Sequence, residues 1–218
     1  MVVFDPGKRD ECNMARDLGS IVKMSRREGY ALHPKAHKAL VRRPSPPGQQ
    51  TVMARPSKPS QYAMQLREKQ KVKRLYGLLE RQFSKLMAEA NRSQGQSGEV
   101  LLQLLELRAD NVVYRGGLAP SRRAARQLVT HGHFMLNGRR VDIPSIRLKP
   151  GDKLNLRGHS ISSDYYKRID ETSPAPSTIP NWLKVNRKKG EIIVASIPSR
   201  DDAEPDINEQ LVVEYYSR

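Results

Sequence analysis

The sequence predicts an α+β fold in which a helical domain receives a smaller inserted α/β unit and is preceded by an extended basic arm. Three features carry that expectation. Apolar residues recur at helical spacing from residue 60 to about residue 130, strand-like alternation takes over around Asn137-Gly138, and prolines crowd the first 59 residues. The expected division is an arm over residues 1–59, a helical domain over 60–98 completed by 198–218, and the inserted unit with its following hairpin over 99–197.

The arm shows little apolar periodicity and contains RRPSPPGQQ from Arg42 to Gln50 and ARPSKPS from Ala54 to Ser60. Proline removes backbone donors and forbids a continuous helix, so the segment reads as extended chain ordered by an external surface. A solvated basic tail is the plainer alternative.

Ser60 is a good N-cap, and one helix is expected from Gln61 to Ala90, with Tyr62, Leu66, Leu75, Leu79, Phe83 and Leu86 forming its inner stripe. Lys69, Lys71, Lys73 and Arg74 crowd its other faces with few acids nearby in sequence. That density favours phosphate contact over paired surface charge. NRSQGQSG breaks the helix, and Ser97 should cap a second one running through Leu101, Leu105 and Val113 to Gly116-Gly117.

Ser121 begins a short helix, SRRAARQLVTHG, with Ala124, Leu128 and Val129 inward and Gly132 as its C-terminal stop. Asn137-Gly138 then marks a tight hairpin, and KPGD at Lys149 to Asp152 joins IRL to KLNL. Trp182 to Val185 and Ile192 to Val194 flank an RKKG turn, which suggests a further hairpin after the linker SPAPSTIP. Asn208 followed by Glu209 favours a C-terminal helix.

Charge indicates the class of partner. The chain has 218 residues and a formal net charge of +16, which is costly to hold compact without a polyanion. Residues 1–99 carry 20 basic and 9 acidic groups, residues 100–160 carry 11 and 4, and residues 161–218 carry 8 and 10. Nucleic acid should therefore lie against the first three quarters, and the tail against protein. The single Cys12 excludes an internal disulfide framework, and no apolar run suggests a membrane span, so a soluble cytosolic protein is expected.

The most specific chemistry lies on the short helix. Ser121 is expected to offer a hydroxyl and free backbone donors, while Arg122, Arg123 and Arg126 offer planar forks suited to phosphate, with Gln127 beside them. His131, Asn137, Arg139 and Arg140 would extend this surface, and Arg42, Arg43 and Gln49 would grip further phosphates. Without zinc-finger spacing, basic heptads or an RNP-like aromatic sheet, folded RNA is favoured over DNA or single strands. No phosphate-binding Gly-Lys loop, GxSxG elbow or HExxH pair occurs, so neither an enzyme nor a cofactor is expected. A metal pair at His33 and His37 lacks nearby carboxylates and rates below ordinary polar roles.

QLREKQKVKRLYGLLERQF, DNVVYRGGLAPSRRAARQLVTHGHFMLNGRRVDIPS, LKPGD and INEQLVVEYYSR, in this order, closely resemble the bacterial and organellar small-subunit ribosomal protein S-four family. The resemblance covers about Met14 to Arg218. It implies that residues from about Leu101 to Arg157 form an S-four-type RNA-binding domain, two helices on a small, mostly antiparallel sheet. It further implies a primary binder of small-subunit ribosomal RNA at a five-helix junction, nucleating assembly of the subunit body. Ribosomal proteins S-five and S-three would be neighbours, messenger RNA would enter nearby, and the S-five interface would influence translational accuracy. A cytoplasmic ribosome is expected over an organellar one.

The RNA-binding domain also occurs in pseudouridine synthases, whose catalytic domain needs a longer chain, and in a stress-related RNA-binding factor, the alternative reading. Val22 and Ser25 stand where many relatives carry a zinc-binding CxxC pair, so the arm is expected to fold without zinc, against RNA. Relatives usually begin at a position matching Met14. Ala109 and Gly116 replace more usual leucines, and looser packing is expected there.

Overall fold

The computed structural model describes residues 19–48, 58–173 and 179–217. Gln49, the first thirteen residues with Cys12, and most of SPAPSTIP lie outside the described residues.

The arm is helical where an extended chain was expected. Helix α1 spans Ile21–Glu28 and α2 spans Pro34–Arg42. Pro34 sits in the first turn of α2, where its missing N–H costs nothing, and the His33 ring nitrogen accepts from Lys35 N at 3.0 Å as the cap. Ser25 is fully buried and its hydroxyl accepts from Leu32 N at 3.3 Å, closing the α1–α2 turn. Arg67 and Arg74 of the next helix both reach the Glu28 carboxylate, so the arm folds against its own protein.

The long helix is divided. Helix α3 covers Gln61–Leu75, capped by Ser60 through Ala63 N at 3.2 Å, and α4 covers Glu80–Arg92. Gly77 between them adopts φ 63°, a left-handed turn that reverses the chain. The second expected helix also divides, into α5 (Ser97–Glu106) and α6 (Ala109–Arg115). Ser97 is inside α5 and Gln96 precedes it without a side-chain cap. At the break, Arg108 pairs with Arg147 in an isolated bridge.

Leu101, Leu102 and Leu105 of α5 pack with Phe83, Met87 and Val212 in the helical core. The packing boundary therefore falls after Glu106, rather than at residue 99. The C-terminal helix α11 (Glu209–Tyr216), capped by Asn208, completes this core after a single 3-10 turn at Arg200–Asp202.

The inserted unit holds α6, α7 (Arg122–Thr130) and five strands: β1 (Phe134–Leu136), β2 (Arg139–Val141), β3 (Lys153–Leu156), β4 (Leu183–Asn186) and β5 (Glu191–Val194). The sheet order is β2-β1-β3-β5-β4, antiparallel throughout. IRL is not a strand beside KLNL, because β3 pairs with β1 and β5 instead. Short helices α8 (Gly158–Ile161), α9 (Asp164–Lys167) and α10 (Ile169–Thr172), absent from the sequence reading, bridge β3 to the linker. Phe134, Leu154, Ile192 and Val194 form the inner face, under Val112, Ala125 and Val129 of α6 and α7.

Gly116 also reverses an expectation. A β-carbon there would meet Ile192 Cδ1 at 2.5 Å, so the small residue marks close packing of α6 on the sheet.

Candidate nucleic-acid interface

Helix α7 is amphipathic, and its basic residues have separate fates. Ala125 and Val129 are buried, while Arg123 and Gln127 are exposed on a ridge that His131 continues beyond the C-terminus. Their spacing of four places all three on one face. Arg123 also donates to Gly19 O at 3.3 Å, bringing the arm beside the ridge.

Arg122 turns inward. Its Nε donates to Asn111 Oδ1 and its Nη2 to Glu204 Oε1, each at 2.9 Å, while its plane lies between the Tyr76 and Tyr114 rings at 4.9 and 4.6 Å. Arg126 donates through Nε to Asp110 Oδ2 at 3.0 Å and through Nη1 to Gly77 O at 2.5 Å. Ser121 is buried and accepts from Ala124 N at 3.2 Å, so its hydroxyl caps the helix. These three residues serve the protein's own packing.

The α3 cations behave likewise. Lys69 is buried, 2.9 Å from Glu80, with the Tyr215 ring 4.5 Å away. Lys73 shares Glu80 at 2.9 Å, Lys71 pairs with Glu68 at 2.8 Å and donates to Asp206 O at 2.6 Å, and Arg74 pairs with Glu28. Only Glu68 is a neighbour on α3 itself; Glu28 and Glu80 arrive from α1 and α4, and the Asp206 carbonyl from the segment before α11. Burial opposes it, yet hydrogen bonds from Tyr216, Lys73 and Lys69 hold the Glu80 carboxyl at about 2.

The hairpin supplies an open surface. Asn137 and Gly138 adopt φ 49° and 83°, the left-handed pair that a two-residue turn requires, and they present Arg139 and Arg140 to solvent. The Asn137 amide is itself occupied, donating to Asp152 Oδ1 at 2.8 Å and accepting from Lys153 N at 2.9 Å. The Arg140 guanidinium lies over Gly132, where a β-carbon would come within 2.5 Å of Nε, and so joins the hairpin to the end of α7.

Lys153 and Lys184 were missed. Both are exposed, and strand alternation and register place them with Arg140 on the sheet face opposite Leu154 and Ile192. The alternation of KLNL and LKVN was the available signal. Arg42 and Arg43 are exposed at the end of α2.

A cleft of about 230 Å³ beneath the arm is lined by Arg74, Arg122, Arg123 and Arg126, but Glu28, Glu204 and Asp110 already neutralise three of these. Among the described residues, no cluster of three or more histidine, cysteine, aspartate or glutamate side chains could hold a metal, and no helix is long and apolar enough to cross a membrane.

Comparison with known proteins supplies the remaining finding. Residues 16–106 match the family described as Ribosomal protein S4/S9 N-terminal domain, and residues 107–154 match the S4 domain. The chain is 49% identical over 211 residues to the small ribosomal subunit protein uS4 of Herpetosiphon aurantiacus, covering 94% of this chain and 100% of that relative. The proteins of that name from Roseiflexus castenholzii and Pelodictyon phaeoclathratiforme are 47% and 50% identical over 206 residues, again covering 94% of this chain and 100% of theirs. A stress-related factor sharing only the inserted module is not favoured, because the likeness extends through the helical domain. The helical domain, the inserted basic module and these full-length likenesses together show that the chain belongs to the small ribosomal subunit protein uS4 family, whose members are structural rather than enzymatic.

Proposed function

We propose that the chain binds a folded junction of small-subunit ribosomal RNA early in assembly, nucleates the subunit body, and influences translational accuracy with ribosomal protein S-five. Ribosomal protein S-three and incoming messenger RNA are its other neighbours, within a cytoplasmic ribosome. The observation that carries the reading is a set of exposed side chains on two adjoining elements: the Arg123, Gln127 and His131 ridge, and the Arg139-Arg140 hairpin, whose Arg140 guanidinium lies over Gly132 at the end of α7. Planar guanidinium forks on a rigid helix and hairpin suit phosphates held in fixed relative positions, as a folded junction presents them.

Lys153 and Lys184 extend the surface across the sheet, and Arg42 and Arg43 extend it along the arm. Arg122, Arg126, Lys69, Lys71, Lys73, Arg74, Ser121 and Asn137 act within the protein. The test is a salt titration of purified protein on small-subunit ribosomal RNA, with large-subunit RNA and duplex DNA as competitors. Preferential binding to the small-subunit RNA that weakens steeply with salt is expected. Equal binding to all three would overturn the reading.

A further inference from the structure

Two acids and two guanidiniums form a closed, neutral set where the inserted unit meets the helical domain. Glu106 at the end of α5 receives Arg115 Nε and Nη2 at 3.1 and 2.8 Å, the Tyr76 hydroxyl at 2.6 Å and Asn111 Nδ2 at 2.7 Å. Glu204, in the segment leading to α11, lies 2.9 Å from Arg122 and 3.5 Å from Arg115. Tyr76, Glu106 and Glu204 belong to the helical domain, whereas Asn111, Arg115 and Arg122 belong to the insert. The Glu106 side chain is 1% exposed, Arg122 11%, Arg115 17% and Glu204 21%, so the polar atoms that meet there face mostly one another rather than solvent.

We infer that Glu204 and Arg122 are positioning residues for RNA recognition: together they fix α7 against the helical domain, and so set where the Arg123–His131 ridge stands relative to the arm. This rests on the ribosomal RNA reading above. The physical argument is geometric. Arg122 precedes Arg123 directly, and its guanidinium is held by a fork of hydrogen bonds to Asn111 and Glu204 and by two ring faces, so the first turn of α7 cannot rotate without breaking them. Phosphates in a folded junction have fixed spacings, and a surface assembled from both domains matches them only at one relative orientation.

Glu204 allows a test in which the sign of the effect decides. Replacing an acid by a neutral amide on a strongly basic protein strengthens attraction to any RNA if only charge matters. In the full-length Glu204→Gln protein, the preference for small-subunit over large-subunit RNA is expected to fall about tenfold, with the salt slope unchanged. Unchanged or improved preference would overturn the inference. Arg122→Lys is the second variant, and it guards against misfolding of the first. Lysine serves a directly contacted phosphate but cannot reproduce the planar fork, so a several-fold loss of preference is expected, whereas preference equal to that of the unaltered protein would overturn the inference. Circular dichroism melting confirms that each variant is folded at the assay temperature. If the unaltered protein itself lacks preference, the ribosomal RNA reading falls, and this inference with it.

Discussion

Arg126 of α7 donates through Nε to Asp110 Oδ2 of α6 at 3.0 Å, and its Nη2 pairs with the same oxygen at 2.9 Å. Asp110 also receives Arg108 through two bonds, at 3.1 and 2.9 Å, and the Asn111 N–H at 2.9 Å. One carboxylate thus ties the start of α6 to α7. Asp110→Ala leaves two guanidiniums with little solvent and no counter-charge, and the unfolding free energy is expected to fall by about 3–5 kcal/mol. Urea unfolding measures it, and a loss below about 1 kcal/mol would contradict this role.

Arg123 differs from Arg126 in exposure. It stands open on the ridge and its bond to Gly19 O at 3.3 Å lies in solvent, so Arg123→Ala should lower the unfolding midpoint only slightly while reducing the salt slope of RNA binding by about one. A large shift in unfolding with no change in slope would assign Arg123 to structure instead.

The close contact at Gly116 predicts steric rescue. Gly116→Ala drives a methyl group into Ile192 and is expected to cost about 1–3 kcal/mol. Adding Ile192→Ala should make the two changes cost less than their sum, since space is returned at the same point. Strict additivity in a double-mutant cycle would count against it.

Glu80 sets an acid limit. Its carboxyl is lowered from 4.5 to about 2 in the fold, so its stabilising contribution is complete above the unfolded value and is lost as pH falls towards about 2. Protonation leaves the buried Lys69 ammonium without its partner. Unfolding followed between pH about 5 and about 2 should show stability declining, and Glu80→Gln should flatten that part of the profile. An equally steep decline in the variant would assign the acid sensitivity to other groups.

The hairpin turn separates backbone from side-chain effects. Asn137→Ala keeps a β-carbon in the left-handed region but loses the amide that makes that conformation tolerable, together with the bonds to Asp152 and Lys153, at a cost of about 1–2 kcal/mol. Asn137→Gly loses the same bonds but also removes the β-carbon strain, and should cost less. Melting temperatures of the two variants should keep that order, and the reverse order would contradict it.

Local signals in the sequence were legible where their chemistry is local. Ser60, Ser121 and Asn208 cap the helices expected of them, Gly132 ends α7, and Asn137-Gly138 turns the hairpin. Each depends on a few neighbouring residues. The breaks at Gly77 and Arg108 were missed because helical periodicity continues across both, and only packing against distant elements reveals the turn. The arm departs from its expected extended form for a similar reason: proline bars a helix interior but not a first turn, where Pro34 sits, and Ser25 and Ala36 are buried by a turn that proline content does not register.

For the candidate site, the sequence points to a region without separating the residues that stay exposed from those the fold pairs internally. Arg122, Arg123 and Arg126 look alike in sequence. Glu204 lies 82 residues from Arg122 along the chain, so the pairing that removes Arg122 from the surface has no local signature. The α3 lysines were overvalued in the same way, since Lys69 and Lys73 find Glu80 only after the chain reverses at Gly77.

The interrupted helical domain also constrains the order of events during synthesis. Helices α3 to α5 leave the ribosome well before α11, which carries Val212 into their shared core, so the early helices have no complete core while the middle of the chain is being made. The insert, whose core lies within residues 112–194, can close first. The polypeptide thus emerges with its inserted module ready and its helical body open, and the body closes only when α11 follows it out.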